Sequence, residues 1–363
     1  MHLIITRSFP PDLGGMQMLM WGLAKTLSKY YNIKVFADHH KNQKLHDENI
    51  NFSIERIGGF KFIRKFRKAN LINDYIKTNQ VDVIIADHWK SLELIKSKKK
   101  KICLIHSKEI NHELGSGLNK RVLKVLNNID YVVANSKFTK NLAVKIGINE
   151  EKIIVINPGI FSAEKISEKF EEKAKKLVSN KFPKLITVSR FDKRKNHEKI
   201  IMVVKNLKEL YPNIIYICIG YGEEEQKLKK LANELKLNDH VIFIKNIDSD
   251  YKNALVSKSD IFVMPSIKYK KSVEGFGIAF IEAAQYGIPS LGGIDGGESD
   301  AIVQNETGIL CDGNNIDEIY EGIKDLLKEK KYIQFGKNAK IYSEKFHWEK
   351  IILEYIKIFN SNY

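Results

Sequence analysis

Two cations and two carboxylates dominate the chemistry open to this chain of 363 residues. In the stretch Ser189-Arg190-Phe191-Asp192-Lys193-Arg194-Lys195-Asn196-His197, Arg190 follows an apolar run and Lys195 precedes an amphipathic one. Both would project over the C-terminal end of a strand, where fixed cations can clamp a diphosphate. A solvated basic loop is the plainer reading of the same residues. In Val273-Glu274-Gly275-Phe276-Gly277-Ile278 the two glycines expose backbone N–H groups at a helix start, and Glu274 can accept from hydroxyls. Glu282 lies two turns along an otherwise apolar helix, where a carboxylate is costly unless a hydroxyl or a cation meets it. A third loop runs from Ser8 to adjacent Gly14 and Gly15 ahead of a helix. It either lets a phosphate approach the backbone N–H groups and the positive helix end, or makes a tight turn. Neither GxGxxG nor GK[ST] is present, so a dinucleotide or ATP fingerprint is absent. His106 ends an apolar run and, taken alone, is a strand-end histidine.

The elements that must position these groups follow from periodicity. Candidate strands in the first half are Leu3–Thr6, Ile33–Phe36, Val81–Ala86, Ile102–His106, Tyr131–Asn135 and Ile153–Ile156. The pattern restarts with Leu185–Ser189, Ile214–Ile219, Val241–Ile244, Ile261–Met264 and Gly308–Cys311. Amphipathic stretches between them include Gln17–Tyr31, Lys137–Ile146, His197–Leu210, Glu223–Leu235 and Gly277–Tyr286. Unbroken apolar strands alternating with helices predict an α/β protein whose parallel sheets are covered on both faces. The expected division is a first domain over 1–160, a linker over 161–183, a second domain over 184–345, and a terminal amphipathic helix over 346–363 able to pack on either domain. Two doubly wound domains joined in this way would enclose a cleft between their strand C-terminal ends. Asp248-Ser249-Asp250 resembles a metal-binding DxD but sits before a helix, where it reads as an N-cap with a first-turn acid.

Composition narrows the classes. A 43% hydrophobic fraction supports packed cores, and seven Pro with 22 Gly exclude collagen-like or low-complexity architecture. No apolar run approaches the roughly 18 residues of a spanning helix, and the N-terminal stretch predicts no signal peptide. Cys103, Cys218 and Cys311 lie far apart in apolar runs, which predicts buried free thiols in a reducing cytoplasm and no zinc site. The net charge is +16, and residues 1–160 hold 27 Lys+Arg against 14 Asp+Glu, a net of +13. Much of it falls in Lys61, Arg64, Lys65, Arg67 and Lys68, interleaved with Phe60, Phe62 and Phe66, and in Lys96 and Lys98 to Lys101. Nucleic acid, an anionic membrane or an anionic small substrate could answer such a charge.

Taken together, the loops resemble those of the retaining two-domain glycosyltransferases of family four, with the GT-B fold. The resemblance covers nearly the whole chain. It is carried by Phe9-Pro-Pro-x-x-Gly-Gly15, His106, Asn135-Ser136, Asn157-Pro-Gly159, Ser189-Arg190 with Lys195, Gly220-x-Gly222, Met264-Pro-Ser266, and Glu274-Gly-Phe-Gly with Glu282. Glu274 and Glu282 match the family's two-glutamate motif, its most specific piece. Phe9-Pro-Pro-x-x-Gly-Gly-x-Gln17 and Val273-Glu-Gly-Phe-Gly-Ile-Ala-Phe-Ile-Glu-Ala283 look like the branch of bacterial phosphatidylinositol mannoside mannosyltransferases and related lipid glycosyltransferases.

The resemblance implies two Rossmann-like domains facing a central cleft and transfer of a hexose from a nucleotide-diphosphate sugar with retention. Gly14, Gly15 and Gly220 would lie on the donor, Arg190 and Lys195 would neutralise its leaving diphosphate, and Glu274 would hold its sugar. Phe276, Gly277 and Ile278 would present backbone N–H groups, Glu282 would grip the ribose, and His106 would contact the sugar near its 6-hydroxyl. No metal or other cofactor is expected. The family pattern departs at Asp300, which replaces the usual Glu after Gly296-Gly297, and at Lys195-Asn196, usually Lys-Gly. Glu274→Ala and Lys195→Ala should remove transfer with the fold intact, because both would lie in a solvent-facing cleft.

The acceptor side of such enzymes is the first domain, where the charge lies. Phe62, Arg64, Lys65, Phe66, Arg67 and Lys68 fit a short amphipathic helix in an anionic membrane interface, or a core-packed helix with a basic face. The expectation is a cytoplasmic enzyme, peripheral on the inner membrane face, whose acceptor is a lipid such as diacylglycerol or a phospholipid headgroup. A polysaccharide or lipopolysaccharide precursor is the alternative acceptor. A nucleotide-sugar 2-epimerase would keep the fold and change the reaction. A nucleic-acid binder lacks any RRM, KH or helix-turn-helix pattern and leaves the cation and glutamate pairs unexplained.

Overall fold

The apolar runs become parallel strands in both units of the computed structural model, which describes residues 1–12 and 14–361, with the backbone alone at Lys61. The chain divides into one unit of Met1–Phe161 with Phe346–Tyr363 and a second of Ser162–Lys345. Of the stretch 161–183 expected as a linker, all but Phe161 therefore belongs to the second unit. Their helix Glu168–Leu177 packs on the helix Ser249–Ser257, with Phe170 stacked on Tyr251 at 5.6 Å.

The first unit is a seven-stranded sheet of β1 (His2–Ile5), β2 (Ile33–Asp38), β3 (Ser53–Ile57), β4 (Val83–Ala86), β5 (Lys100–Ile105), β6 (Tyr131–Ala134) and β7 (Ile153–Val155). Its order is β3-β2-β1-β4-β5-β6-β7, with all pairs parallel, and Ile4 stands between Val35 and Ile85. Alternate residues feed two cores. Leu3, Ile84, Cys103 and Val132 pack on one face, and Ile4, Ile85, Leu104 and Val133 on the other. Burial on both faces is why these strands show no polar alternation.

The second unit repeats the plan with β8 (Lys184–Val188), β9 (Ile215–Ile219), β10 (Val241–Ile244), β11 (Ile261–Met264), β12 (Ser290–Gly293) and β13 (Gly308–Cys311). The order is β10-β9-β8-β11-β12-β13, again parallel. Strand order reverses between β1 and β4 in the first sheet and between β8 and β11 in the second, the crevices where such sheets bind ligands.

Two strands escape the periodicity reading. β3 is an edge strand whose residues are mostly half-exposed, so Ser53-Ile-Glu-Arg-Ile57 lacks an apolar run. β12 shows no apolar run because half of Ser290-Leu-Gly-Gly293 is glycine. Those glycines are demanded by neighbours: a Cβ on Gly293 would stand 2.1 Å from the Ser266 carbonyl, and one on Gly292 2.5 Å from Ile302 Cδ1.

The terminal helix Trp348–Asn360 belongs to the first unit. Its Trp348 indole is buried in a groove kept open by two glycines: a Cβ on Gly22 would meet Nε1 at 2.0 Å and one on Gly159 would meet Cδ2 at 2.5 Å. At the other end Lys100 Nζ donates to the carbonyls of Ile358, Phe359 and Ser361 at 3.1, 2.9 and 2.6 Å. A lysine on the last free carbonyls also suits the negative end of the helix dipole. One cation of the 98–101 run is thus consumed inside the fold. Among the described residues no helix is long and apolar enough to cross a membrane, and all three cysteines are free and buried.

Candidate functional site

In the second unit the loops after β8, β11 and β12 converge. After β8, Asp192 Oδ1 accepts from the Lys195 backbone N–H at 3.2 Å and closes a single helical turn. Asn196 then takes a left-handed φ of 62°, a conformation Gly and Asn tolerate best. Its side chain donates to Pro265 O at 3.0 Å and Gly313 O at 2.7 Å, so Asn does here what the family's usual Gly does and adds two tethers. His197 opens the helix His197–Leu210. Its Nε2 lies 3.0 Å from Ser189 Oγ and its Nδ1 2.8 Å from Tyr216 Oη. Burial, then the Lys195 charge, lowers this histidine to about 3, so it is a neutral strut for the loop.

That turn aims two cations at one carboxylate. Lys195 Nζ and Arg194 Nη1 each lie 2.5 Å from Glu274 Oε2, and all three side chains are largely buried. Burial alone would raise Glu274, but the Lys195 and Arg194 charges outweigh it and hold the carboxyl far below its usual range. The same burial lowers Lys195, against the pull of Glu274. Lys195 and Glu274 are therefore brought together as the sequence suggests, but their partner is Arg194. Arg190 is turned outward, 70% exposed, with its guanidinium 3.6 Å from Asp192. Arg190 and Lys195, expected together on a diphosphate, thus stand apart in this structure, because the turn that buries Lys195 carries Arg194 inward with it onto Glu274. Glu298, from the loop after β12, is buried within electrostatic reach of these three side chains and escaped the sequence reading. Its signal was an acid directly after Gly296-Gly297.

The glycines around this cluster act through close approach. A Cβ on Gly220 would fall 1.9 Å from Ser189 O and one on Gly222 2.4 Å from Phe191 O, so the end of β9 supports the cation loop. Gly277 has φ 89°, starts the helix Ile278–Ala284, and has Glu274 and Phe280 against it. Phe276 is buried, leaving its backbone as the part that can serve a ligand. Glu282 is half-exposed rather than on a buried face: without a hydrogen bond or ion pair among the described residues, it lines a small pocket with Val188, Lys252 and Tyr286. Asp248 is an N-cap, accepting from the Asp250 N–H at 2.7 Å.

In the first unit Gly14 and Gly15 are exposed at the N-terminus of the helix Gly15–Leu27, and Gly14 has φ 155°. At the ends of β4 and β5 stand Asp87, His88, His106 and Glu109. Burial lowers His106 to about 4, partly opposed by a hydrogen bond to the Asp87 backbone. Its backbone N–H donates to Glu109 Oε1 at 2.5 Å. Burial pushes Glu109 up to about 7 and lowers His88 to about 3. His106 is thus a neutral imidazole beside an acid that titrates near neutrality, and Glu109 was not visible in the sequence.

The basic segment forms the helix Lys61–Thr78, much longer than expected, and its cations split. Lys68 is buried, donating to Thr6 O and to Asp38 Oδ1 at 3.0 Å, and Arg64 meets Asp38 Oδ2 at 3.1 Å. These two are structural and do not face outward as expected. Phe60, Phe62, Ile63 and Phe66 are 84, 83, 65 and 53% exposed, with Lys65 and Arg67 also exposed among them.

Comparison with known proteins agrees with this layout. Residues 168–342 match the model "Glycosyl transferases group 1" and residues 13–164 match "Glycosyltransferase Family 4". An uncharacterized glycosyltransferase of Methanocaldococcus jannaschii is 30% identical over 96% of this chain and 95% of its own length. A GDP-mannose-dependent α-(1-6)-phosphatidylinositol monomannoside mannosyltransferase of Mycolicibacterium smegmatis is 21% identical over 90% and 89%. Among solved structures, Anabaena HepE in complex with UDP superposes with a TM-score of 0.84 at 18% identity, covering 99% of this chain and all of that one. The two parallel α/β units are those of the GT-B fold. With both halves matched and the cation–glutamate cluster at the ends of β8, β11 and β12, the chain belongs to the group 1 glycosyltransferases, enzymes that transfer a sugar from a nucleotide sugar.

Proposed function

We propose that the protein transfers a hexose from a UDP- or GDP-sugar to a hydroxyl of a membrane lipid, with retention at the anomeric carbon. The observation that carries the donor half is the Arg194–Glu274–Lys195 cluster, two cations on one carboxylate in the crevice of the second sheet. A diphosphate leaving group gains negative charge as the sugar–oxygen bond breaks, and preorganised cations stabilise that charge most. The acceptor oxygen bonds to the anomeric carbon on the face the diphosphate leaves, and its proton passes to the departing phosphate. No protein nucleophile is required, unlike a two-carboxylate glycosidase, and no metal takes part. Glu274 holds the sugar hydroxyls, the unpaired Glu282 accepts from the ribose, and backbone N–H groups at 276–278 and Gly15 serve the donor. Arg190, exposed beside this loop, closes on the diphosphate when it binds. In the first unit the neutral imidazole of His106 hydrogen-bonds the sugar.

The lipid acceptor is supported by the exposed Phe60, Phe62, Ile63 and Phe66 among Lys65 and Arg67. Apolar side chains with interleaved cations suit the interface of an anionic bilayer, here the cytoplasmic leaflet. The names of relatives that act on phosphatidylinositol mannosides point the same way. The test is incubation with a panel of UDP- and GDP-sugars and of diacylglycerol, phospholipid and oligosaccharide acceptors, with product masses read out. A glycolipid product is expected; transfer confined to soluble glycans would overturn the acceptor assignment.

A further inference from the structure

Glu298 takes no part in the proposed transfer, yet it lies within electrostatic reach of the cluster that carries it. The residue is fully buried, and among the described residues neither carboxyl oxygen has a hydrogen-bond partner beyond the approach of its own backbone N–H. It is folded back under the loop after β11: a Cβ on Gly296 would stand 2.7 Å from Glu298 Oε2 and 2.3 Å from Glu274 O. The Gly297 N–H donates to that same Glu274 carbonyl at 2.9 Å, tying the two loops together. The charged and titratable groups that face Glu298 are Glu274, Lys195 and Arg194, with the Cys311 thiol beyond.

The charge count makes the protonation state consequential. With Asp192 balanced by Arg190 at 3.6 Å, although it also lies 3.9 Å from Arg194, Arg194 and Lys195 on Glu274 leave one surplus positive charge, which an ionised Glu298 would cancel. A buried carboxylate whose only donor is its own backbone N–H is strongly disfavoured against its neutral form. Burial and the adjacent Glu274 carboxylate accordingly push Glu298 well above the usual carboxyl range.

We propose that Glu298 is a charge-setting residue of the donor site: held as a neutral acid, it leaves the Arg194–Lys195–Glu274 cluster the surplus positive charge that binds the diphosphate of the nucleotide sugar. Glu298 does not touch the ligand; it acts through the three side chains that do. This rests on the donor reading above. When pH rises through its ionisation, the surplus is lost and diphosphate affinity falls.

The experiment is titration of the full chain with UDP and with GDP across neutral to alkaline pH, for wild type and for Glu298→Gln. Wild type should lose about tenfold or more in affinity along the alkaline limb as one buried charge appears, and E298Q should hold its affinity there. If Lys195 deprotonation causes the limb instead, E298Q keeps it and the proposal falls. The infrared stretching band of a protonated carboxyl, read as wild type minus E298Q so that other neutral acids such as Glu109 cancel, must be present at neutral pH. Should E298Q not fold, that band in wild type must fade over the pH range in which affinity falls, and a band that persists through the limb overturns the idea. Absence of binding by both nucleotides overturns the donor reading together with this inference. Binding with an unchanged limb in E298Q, or a missing band, overturns the inference alone.

Discussion

Glu274 binds two cations at once, and that decides what mutations there will do. Glu274→Ala and Lys195→Ala should each lower kcat/KM about 10²–10³-fold, as loss of a transition-state charge partner does, measured as product mass per time. The fold will not be indifferent, because the cluster is buried. Removing Glu274 strands two cations and should cost about 3–5 kcal/mol in urea unfolding, whereas Arg190→Ala, at an exposed side chain, should stay within about 0.5 kcal/mol. Acid stability follows from the depressed groups. Glu274 contributes stability that is present above the ordinary carboxyl pKa and lost as pH falls through its depressed value. His197, lowered to about 3, is neutral when folded, so its contribution is complete above 6.5 and is lost as pH falls toward 3. Replacing His197 by Gln should therefore flatten the fall of Tm below pH 6.5, as read by calorimetry.

At the scale of elements, the terminal helix and the basic helix do opposite things with apolar side chains. Trp348 is a key in a glycine-lined groove, so Trp348→Ala should cost about 3–5 kcal/mol. Gly159→Ala, which forces a Cβ to 2.5 Å from the indole, should cost about 1–3 kcal/mol by overpacking. Both are checked by denaturant melts. The helix Lys61–Thr78 instead leaves its phenylalanines outside. Phe62→Ser with Phe66→Ser should reduce sedimentation with anionic liposomes about tenfold or more, with Tm and nucleotide binding unchanged. Lys68→Ala should do the reverse: its ammonium is held by Thr6 O and Asp38, so the loss appears in stability and leaves Asp38 with Arg64.

For the whole molecule, the surplus of +13 in residues 1–160 is already net of the acids there, so it is carried by cations other than those that meet a carboxylate. Lys100 caps a helix, Lys68 and Arg64 meet Asp38, Arg56 meets Asp47 at 2.7 Å, and Arg121 meets Glu93 at 2.8 Å. Lys65 and Arg67 remain exposed beside the phenylalanines, so charge and apolar surface coincide on one helix. Vesicle binding should then fall with ionic strength, as screening over a Debye length of about 10 Å demands, yet retain a salt-resistant part from the inserted rings. Binding abolished outright by salt, with Phe62 and Phe66 variants unaffected, would show that the rings take no part.

The sequence by itself determined the two parallel sheets, the family, and the strand-end loops that bring Lys195 and Glu274 together. Apolar strands buried on both faces, and glycines forced by backbone contact, leave patterns along the chain. It missed β3 and β12, because an edge strand needs no apolar run and a crowded strand can need glycine. Tertiary structure alone decided that Arg194 joins Lys195 on Glu274 while Arg190 faces outward, that Lys68 and Lys100 serve the fold, and that Glu109 and Glu298 are buried acids. Each of those outcomes depends on which way a side chain turns and on what a distant loop brings against it. Charge and residue type are local properties of a chain, whereas burial and partnership exist only once it has folded.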